Sequence, residues 1–182
     1  MRIVGGSLKG RRLRTPAWEG LRPTSDRLRE TLFNVLGPLV EGARVVDACA
    51  GTGALGLEAL SRGAASVTFV ENDRRAVALI ERNLEACGLT GGYTIVARAV
   101  ERVGRAIHDG SADLVLLDPP YEARDLDRLV ERASAWLAPT GWLVVEHRAR
   151  RPVAERIGRL ERARQLVAGD SALSFYRAPT TG

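Results

Sequence analysis

The chain has 182 residues, 45% hydrophobic and 27% charged, which allows one domain of ordinary size with a sizeable core and excludes a largely low-complexity chain. Its formal net charge is +5, and residues 1–30 hold eight basic residues against three acids, so the excess lies at the N-terminal end. No apolar signal region follows Met1 and no uncharged apolar run approaches the roughly 20 residues of a membrane helix, so a soluble cytoplasmic protein is expected.

A second basic stretch, residues 148–164, carries seven arginines against Glu155 and Glu161. Two basic flanks around an acidic centre point to a polyanion partner, although charge runs are commonly just solvated faces. Residues 2–14 alternate in short runs around Gly5-Gly6 and Gly10, which predicts a small hairpin with a basic outer face. Pro23-Thr24-Ser25 then supplies cap residues for a helix whose stripe is Leu28, Leu32, Val35 and Leu36, ending at Gly37-Pro38.

From residue 43 the pattern becomes apolar runs separated by helical segments: Arg44 to Val46, Ser66 to Val70, Tyr93 to Val96, Asp113 to Leu117, and Trp142 to Val145. Continuous β-branched runs of this kind predict an α/β fold, a doubly wound, mostly parallel sheet covered on both faces. Leu160 to Ala168 and Leu173 to Ala178 flank Gly169-Asp170 and predict a closing antiparallel hairpin. Cys49 and Cys87 lack partners at ligand spacing, so reduced, buried thiols and no metal site are expected. His108 and His147 are isolated and are read as surface or supporting residues. No exposed apolar stripe stands out, which favours a monomer without an obligatory protein partner.

Two stretches carry chemistry. After the first sheet strand comes Asp47-Ala48-Cys49-Ala50-Gly51-Thr52-Gly53-Ala54-Leu55-Gly56, with Glu71 20 residues beyond Gly51 at the end of the next strand. The spacing satisfies the G-x-G-x-x-G dinucleotide pattern, so a dehydrogenase must be weighed. Asp47 argues the other way, because a carboxylate before the turn suits a ligand bearing an ammonium group better than a pyrophosphate. S-adenosylmethionine carries an amine and a sulfonium and no phosphate. The second stretch is Asp118-Pro119-Pro120-Tyr121, directly after an apolar strand. Asp-Pro-Pro also opens ordinary loops. In this setting, however, the Asp118 carboxylate and the Pro119 carbonyl can accept hydrogens from one planar NH2 group while Tyr121 offers a stacking face, which points to a nucleobase amine.

The segments Arg2-Ile3-Val4-Gly5-Gly6, Lys9-Gly10-Arg11, Leu21 to Asn34, Gly51 to Arg62 and Asp118 to Tyr121 together resemble the bacterial methyltransferases that modify the exocyclic N2 of a guanine in 16S ribosomal RNA. The resemblance covers nearly the whole chain, and the run at 21–34 is its most specific part. It implies a Rossmann-like methyltransferase sheet with a terminal antiparallel strand, the cofactor S-adenosylmethionine, and 16S ribosomal RNA or the small ribosomal subunit as partner. By position, it implies that Asp47, Ala50, Gly51, Thr52, Gly53, Ala54, Glu71, Asn72, Ala99 and Val100 line the cofactor site. Asp118, Pro119, Pro120 and Tyr121 would hold the target base. Lys9, Arg11, Arg12, Arg14, Arg22, Thr24 and Arg27 would face the RNA. Residues 1–40 are expected to form an RNA-facing appendage and residues 41–182 the methyltransferase domain. The chain departs from the pattern at Arg98-Ala99-Val100-Glu101, where relatives commonly place Asp or Asn against the adenine amine, at Cys49, usually aromatic, and at Thr52, usually Ser. The alternatives are an amino-methyltransferase acting on adenine or cytosine of DNA and a non-catalytic ribosome-assembly factor.

Overall fold

The computed structural model describes residues 1–18, 24–120 and 125–179. The predicted runs become β1 (Arg44–Ala48), β2 (Ser66–Val70), β3 (Tyr93–Val96), β4 (Ala112–Leu117) and β5 (Leu137–Arg148). Between and before them lie α1 (Asp26–Leu36), α2 (Ala54–Ser61), α3 (Arg74–Ala86) and α4 (Leu126–Ala135), and the chain closes with β6 (Arg156–Ile157), β7 (Leu160–Ala168) and β8 (Ser171–Arg177). Ser25 caps α1, its hydroxyl accepting from the Leu28 N–H at 3.2 Å. That bond satisfies one of the donors the first turn leaves open.

All eight strands form one sheet in the order β3-β2-β1-β4-β5-β8-β7-β6, with the first five parallel and the last three antiparallel. The chain therefore winds outward from β1 in one direction and then returns to its other side with β4. That reversal opens a crevice at the carboxyl ends of β1 and β4, the place where open α/β sheets hold ligands.

The period of two along the strands divides the core. Val45, Phe69, Leu114 and Phe175 point to one face, where α1, α2 and α3 cover them, and Val46, Val70, Val115 and Val145 point to the other, under α4. Ile3 and Leu13 of the N-terminal segment join the first of these clusters and are nearly fully buried. The segment forms the predicted hairpin with a single bridge, Arg2 to Arg12, flanked by the bonds Ile3 N–H to Arg11 O and Gly10 N–H to Ile3 O, both 2.9 Å. Its turn sits on the end of α2: a Cβ on Gly6 would lie 1.9 Å from the Ser61 carbonyl oxygen, so only glycine permits this approach.

Four details differ from the sequence reading or decide between its alternatives. β5 begins at Leu137, not near Trp142, because Ala138 to Gly141 continue in extended geometry and a register shift between Ala112 and Leu114 of β4 absorbs the mismatch. The two-residue β6 carries too little periodicity to be read. His147 is not at the surface: it is buried, its Nε2 2.9 Å from the Ser174 hydroxyl. Cys49 is half-buried, and only Cys87 is a buried thiol.

Candidate active site

The crevice at the carboxyl ends of the parallel strands is a cleft of about 1310 Å³. Asp47, Ala50, Gly51, Thr52 and Ala54 line it from the β1–α2 loop, Glu71 and Asn72 from the end of β2, and Ala99 and Val100 from beyond β3. Asp118, Pro119 and Pro120 line it from the end of β4, Thr24 from the approach to α1 and Arg27 from its first turn. Residues distant in sequence meet here because the strands run parallel and deliver their carboxyl ends to one edge. Tyr121 and Arg22 lie outside the described residues.

The glycine loop hangs between β1 and β2. Ala50 N–H donates to Val70 O at 2.9 Å and Gly53 N–H to Ala50 O at 2.7 Å, while Gly51 and Gly53 take φ of 55° and 75°. Gly51 lines the cleft; Gly53 and Gly56 serve packing. A Cβ on Gly53 would stand 3.2 Å from Ile80, and one on Gly56 only 2.3 Å from the Phe69 ring. The pattern that imitates a dinucleotide fingerprint is thus largely a requirement of setting α2 and α3 close to β2. Cys49 is also left-handed, with φ of 62°. Burial and the neighbouring Glu71 and Asp118 push its thiol well above its ordinary range, so it is not a ready nucleophile.

The carboxylates give the cleft its character. Asp47 is 1% exposed; its Oδ2 accepts from Gly56 N–H at 2.8 Å, and its Oδ1 is buried without a hydrogen-bond partner. Burial pushes this carboxyl up to about 8, against the opposing Gly56 bond. Glu71 accepts from three backbone N–H groups, Gly51 at 2.8 Å on Oε2 and Asn72 and Asp73 at 2.8 and 2.9 Å on Oε1. Asp118 is pushed up to about 6 by burial, which the Thr24 hydroxyl partly offsets by donating to Oδ2 at 2.6 Å. Carboxyl groups from three strand ends face one crevice, and a cationic ligand would favour the ionised form of Asp47 where a pyrophosphate would oppose it, which argues against the dehydrogenase reading.

The N-terminal residues divide into two groups. Lys9, Arg11, Arg12 and Arg14 are exposed. Thr24 turns inward onto Asp118 and does not face outward like those cations. Arg29, counted in the basic segment, is fully buried: its guanidinium pairs with Asp26 at 2.8 Å, approaches Glu58 at 3.5 Å and donates to the Arg2 carbonyl. Glu58, equally buried, also accepts from Val4 N–H at 2.9 Å and Arg62 Nε at 2.8 Å.

Several participants escaped the sequence reading. Asn83 lies on the apolar stripe of α3, and its side chain bonds Arg14 N–H at 2.7 Å, Arg14 O at 3.2 Å and Thr52 O at 3.0 Å. A polar residue on an apolar stripe was the available signal. Arg74 and Arg82 of α3 join Arg14 around Trp18 in a second hollow of about 600 Å³, with the Arg75 guanidinium 5.0 Å from the Trp18 ring. Among the described residues, no cluster of three or more His, Cys, Asp or Glu is placed to hold a metal ion, and no helix is long and apolar enough to cross a membrane.

Comparisons with known proteins agree with this architecture. A family model described as "Conserved hypothetical protein 95" matches residues 1–177. The "Ribosomal RNA small subunit methyltransferase D" of Escherichia coli K12 is 36% identical, the match covering 100% of this chain and 92% of that one. The protein of the same name from Haemophilus influenzae is 37% identical over 79% of this chain and 73% of its own. A solved structure of a hypothetical protein from Thermus thermophilus superposes with a TM-score of 0.80 at 30% identity, covering 98% of this chain and 99% of that one. The glycine loop, the acid-lined crevice and these matches along the whole length identify the chain as a methyltransferase belonging to the conserved hypothetical protein 95 family.

Proposed function

We propose that this methyltransferase moves the methyl group of S-adenosylmethionine to the exocyclic N2 of a guanine in 16S ribosomal RNA. The observation that carries the reading is Asp118, held by Thr24 at the β1–β4 switch point in the same cleft as Asp47 and Glu71. The relatives named for small-subunit rRNA support the substrate class.

The residues present fit the cofactor. The Asp47 Oδ1, buried without a partner, can accept from the ammonium group, and Glu71 keeps a lone pair on Oε2 for a ribose hydroxyl. Ala99 and Val100 line the cleft with no side-chain acceptor, so the adenine amine would be met by backbone. When bound, the cofactor supplies an electrophilic methyl on a sulfonium, already attached to a good leaving group.

Asp118 and the Pro119 carbonyl accept the hydrogens of the target amine and draw its lone pair out of the ring. As the N–C bond forms, positive charge grows on nitrogen, and these fixed acceptors stabilise it more than they stabilise the neutral amine. The amine proton then passes to Asp118 or to water. With its carboxyl near 6, Asp118 is ionised at neutral pH and still a usable base. Thr24 fixes the carboxylate so that its other oxygen meets the amine.

The basic N-terminal segment is the RNA-facing appendage in this reading. Lys9, Arg11, Arg12 and Arg14 are exposed, Arg27 lines the cleft, and Arg14, Arg74 and Arg82 surround Trp18, whose ring can stack an unpaired base. The target base must enter unpaired, as in a ribosomal loop. The protein acts in the cytoplasm as a monomer in this reading.

The test offers labelled methyl donor to naked 16S RNA, assembled small subunits and DNA, followed by nucleoside analysis. N2-methylguanosine from the ribosomal substrate is expected, with Asp118→Ala lowering the rate by about 10²–10⁴. Methylated adenine or cytosine in DNA as the main product would overturn the assignment.

A further inference from the structure

Glu146 belongs to none of the positions the reading above assigns, yet it stands beside Asp118. β4 and β5 run parallel with Leu117 opposite Val145, so the next residue of each strand is Asp118 and Glu146. Adjacent strands lie about 4.8 Å apart. Glu146 is 7% exposed and lines the same cleft as Asp118, Pro119 and Pro120. A carboxylate on a strand of apolar neighbours, Leu143 to Val145, offers about four acceptor positions, so it can take a ligand hydrogen beside the contacts it makes within the fold.

We infer that Glu146 determines base specificity by accepting the N1–H of the target guanine while Asp118 and the Pro119 carbonyl hold its N2. This deepens the proposed function and rests on guanine N2 being the site of transfer. Guanine presents three hydrogens in a row on this edge, two on N2 and one on N1. The cleft offers three acceptors for them on its wall: the Pro119 carbonyl, Asp118 and, on the neighbouring strand, Glu146. An ionised carboxylate has no hydrogen to give. Adenine and cytosine carry, next to their amines, a ring nitrogen that is itself an acceptor, and Glu146 would face it lone pair to lone pair. Selection thus comes from a repulsive contact against the wrong bases as much as from an attractive one to the right base. An amine clamp alone would accept all three.

The test replaces the target guanine in the RNA substrate by 2-aminopurine, which keeps the 2-amino group but bears an acceptor at N1. The wild-type protein is expected to prefer guanine by at least about 10² in kcat/KM, since a site built for a donor rejects its absence strongly. In Glu146→Gln the amide can turn its NH2 toward the 2-aminopurine N1. The preference should then shrink at least about tenfold, with cofactor affinity unchanged. A merely structural role would lower both substrates alike, and an unmoved ratio would overturn the inference. Wild-type protein that does not discriminate between the two bases would overturn it as well, without any variant. Failure of the underlying reading appears separately, as absence of N2-methylguanosine in the wild-type product.

Discussion

The two basic flanks look equivalent as strings, each carrying a formal excess of +5, and they behave differently in the fold. In the C-terminal flank, three of the arginines are engaged within the fold. Arg156 pairs with Glu161, Arg162 with Glu155 at 2.8 Å, and Arg159 donates to the Leu137 carbonyl at 2.7 Å. In the N-terminal segment, Lys9, Arg11, Arg12 and Arg14 remain exposed, and among the described residues none of them pairs with an acid. Antiparallel pairing sets opposite charges across from one another at short range. The N-terminal hairpin has no acids of its own to set there, and the acids near it face inward. A charge count along the chain is therefore not a surface charge.

The flanks also differ in their attachment. Besides its bonds to Ser61, the N-terminal segment is tied to the rest of the fold by Val4 on Glu58, Arg14 on Asn83, and Thr24 on Asp118. Cutting the first tie should have the largest effect. Glu58→Ala leaves the buried Arg29 with only the partly exposed Asp26 as an acid and strips Val4 N–H and Arg62 of their acceptor, and should destabilise the fold by about 3–5 kcal/mol, read by urea denaturation. A loss below about 1 kcal/mol would mean the segment is held by its apolar residues and its bonds to Ser61 and Asn83 without help from Glu58.

Reversal of Arg11, Arg12 and Arg14 to Glu should next abolish most RNA affinity at low salt. Counterion release predicts a slope of log affinity against log salt shallower by about 0.7 for each lost contact, or about two for all three. Thr24→Val addresses the third tie. The Thr24 hydroxyl favours the ionised carboxylate, so removing it raises Asp118 above about 6 and moves the acidic limb of kcat to higher pH. At pH 7 this should lower kcat, with recovery in Thr24→Ser.

Asp47, where the cofactor loop meets the sheet, gives a stability signature. Its carboxyl is near 8 in the folded chain against about 3.9 unfolded, so the folded state holds the extra proton between those values. Stability contributed by this group is complete below pH 4 and is lost as pH rises toward 8. Asp47→Asn keeps the acceptor for Gly56 N–H and should flatten that dependence while weakening cofactor binding. A melting temperature with unchanged pH slope would remove Asp47 as its source. The smallest effect belongs to the other flank: Arg156→Ala with Glu161→Ala should change stability by less than about 1 kcal/mol and leave RNA affinity unaltered.

Local patterning carried much of the architecture. β2 and β3 coincide with the apolar runs residue for residue, and Ser25 capped the helix it was expected to cap. The start of β5 was not legible, because Pro139 and Gly141 are residue types that favour turns and only pairing with β4 keeps this stretch extended. In the cleft, the glycine loop, Glu71 and Asp118 were visible as motifs. Asn83 and Glu146 were not, since each lies inside an otherwise ordinary helix or strand and acquires its partners only across the fold.

By itself the sequence determined the order of strands and helices, the parallel character of the sheet and the residue types offered at the end of each strand. Those follow from periodicity and local chemistry, which act over a few residues. Tertiary structure decided which charges face water, which glycines serve packing, and that Thr24, Asp47, Glu71, Asp118 and Glu146 share one crevice. These residues are separated by up to 122 positions along the chain. Only the reversal of strand order between β1 and β4 brings them together, and only burial there changes what their carboxyl groups can hold.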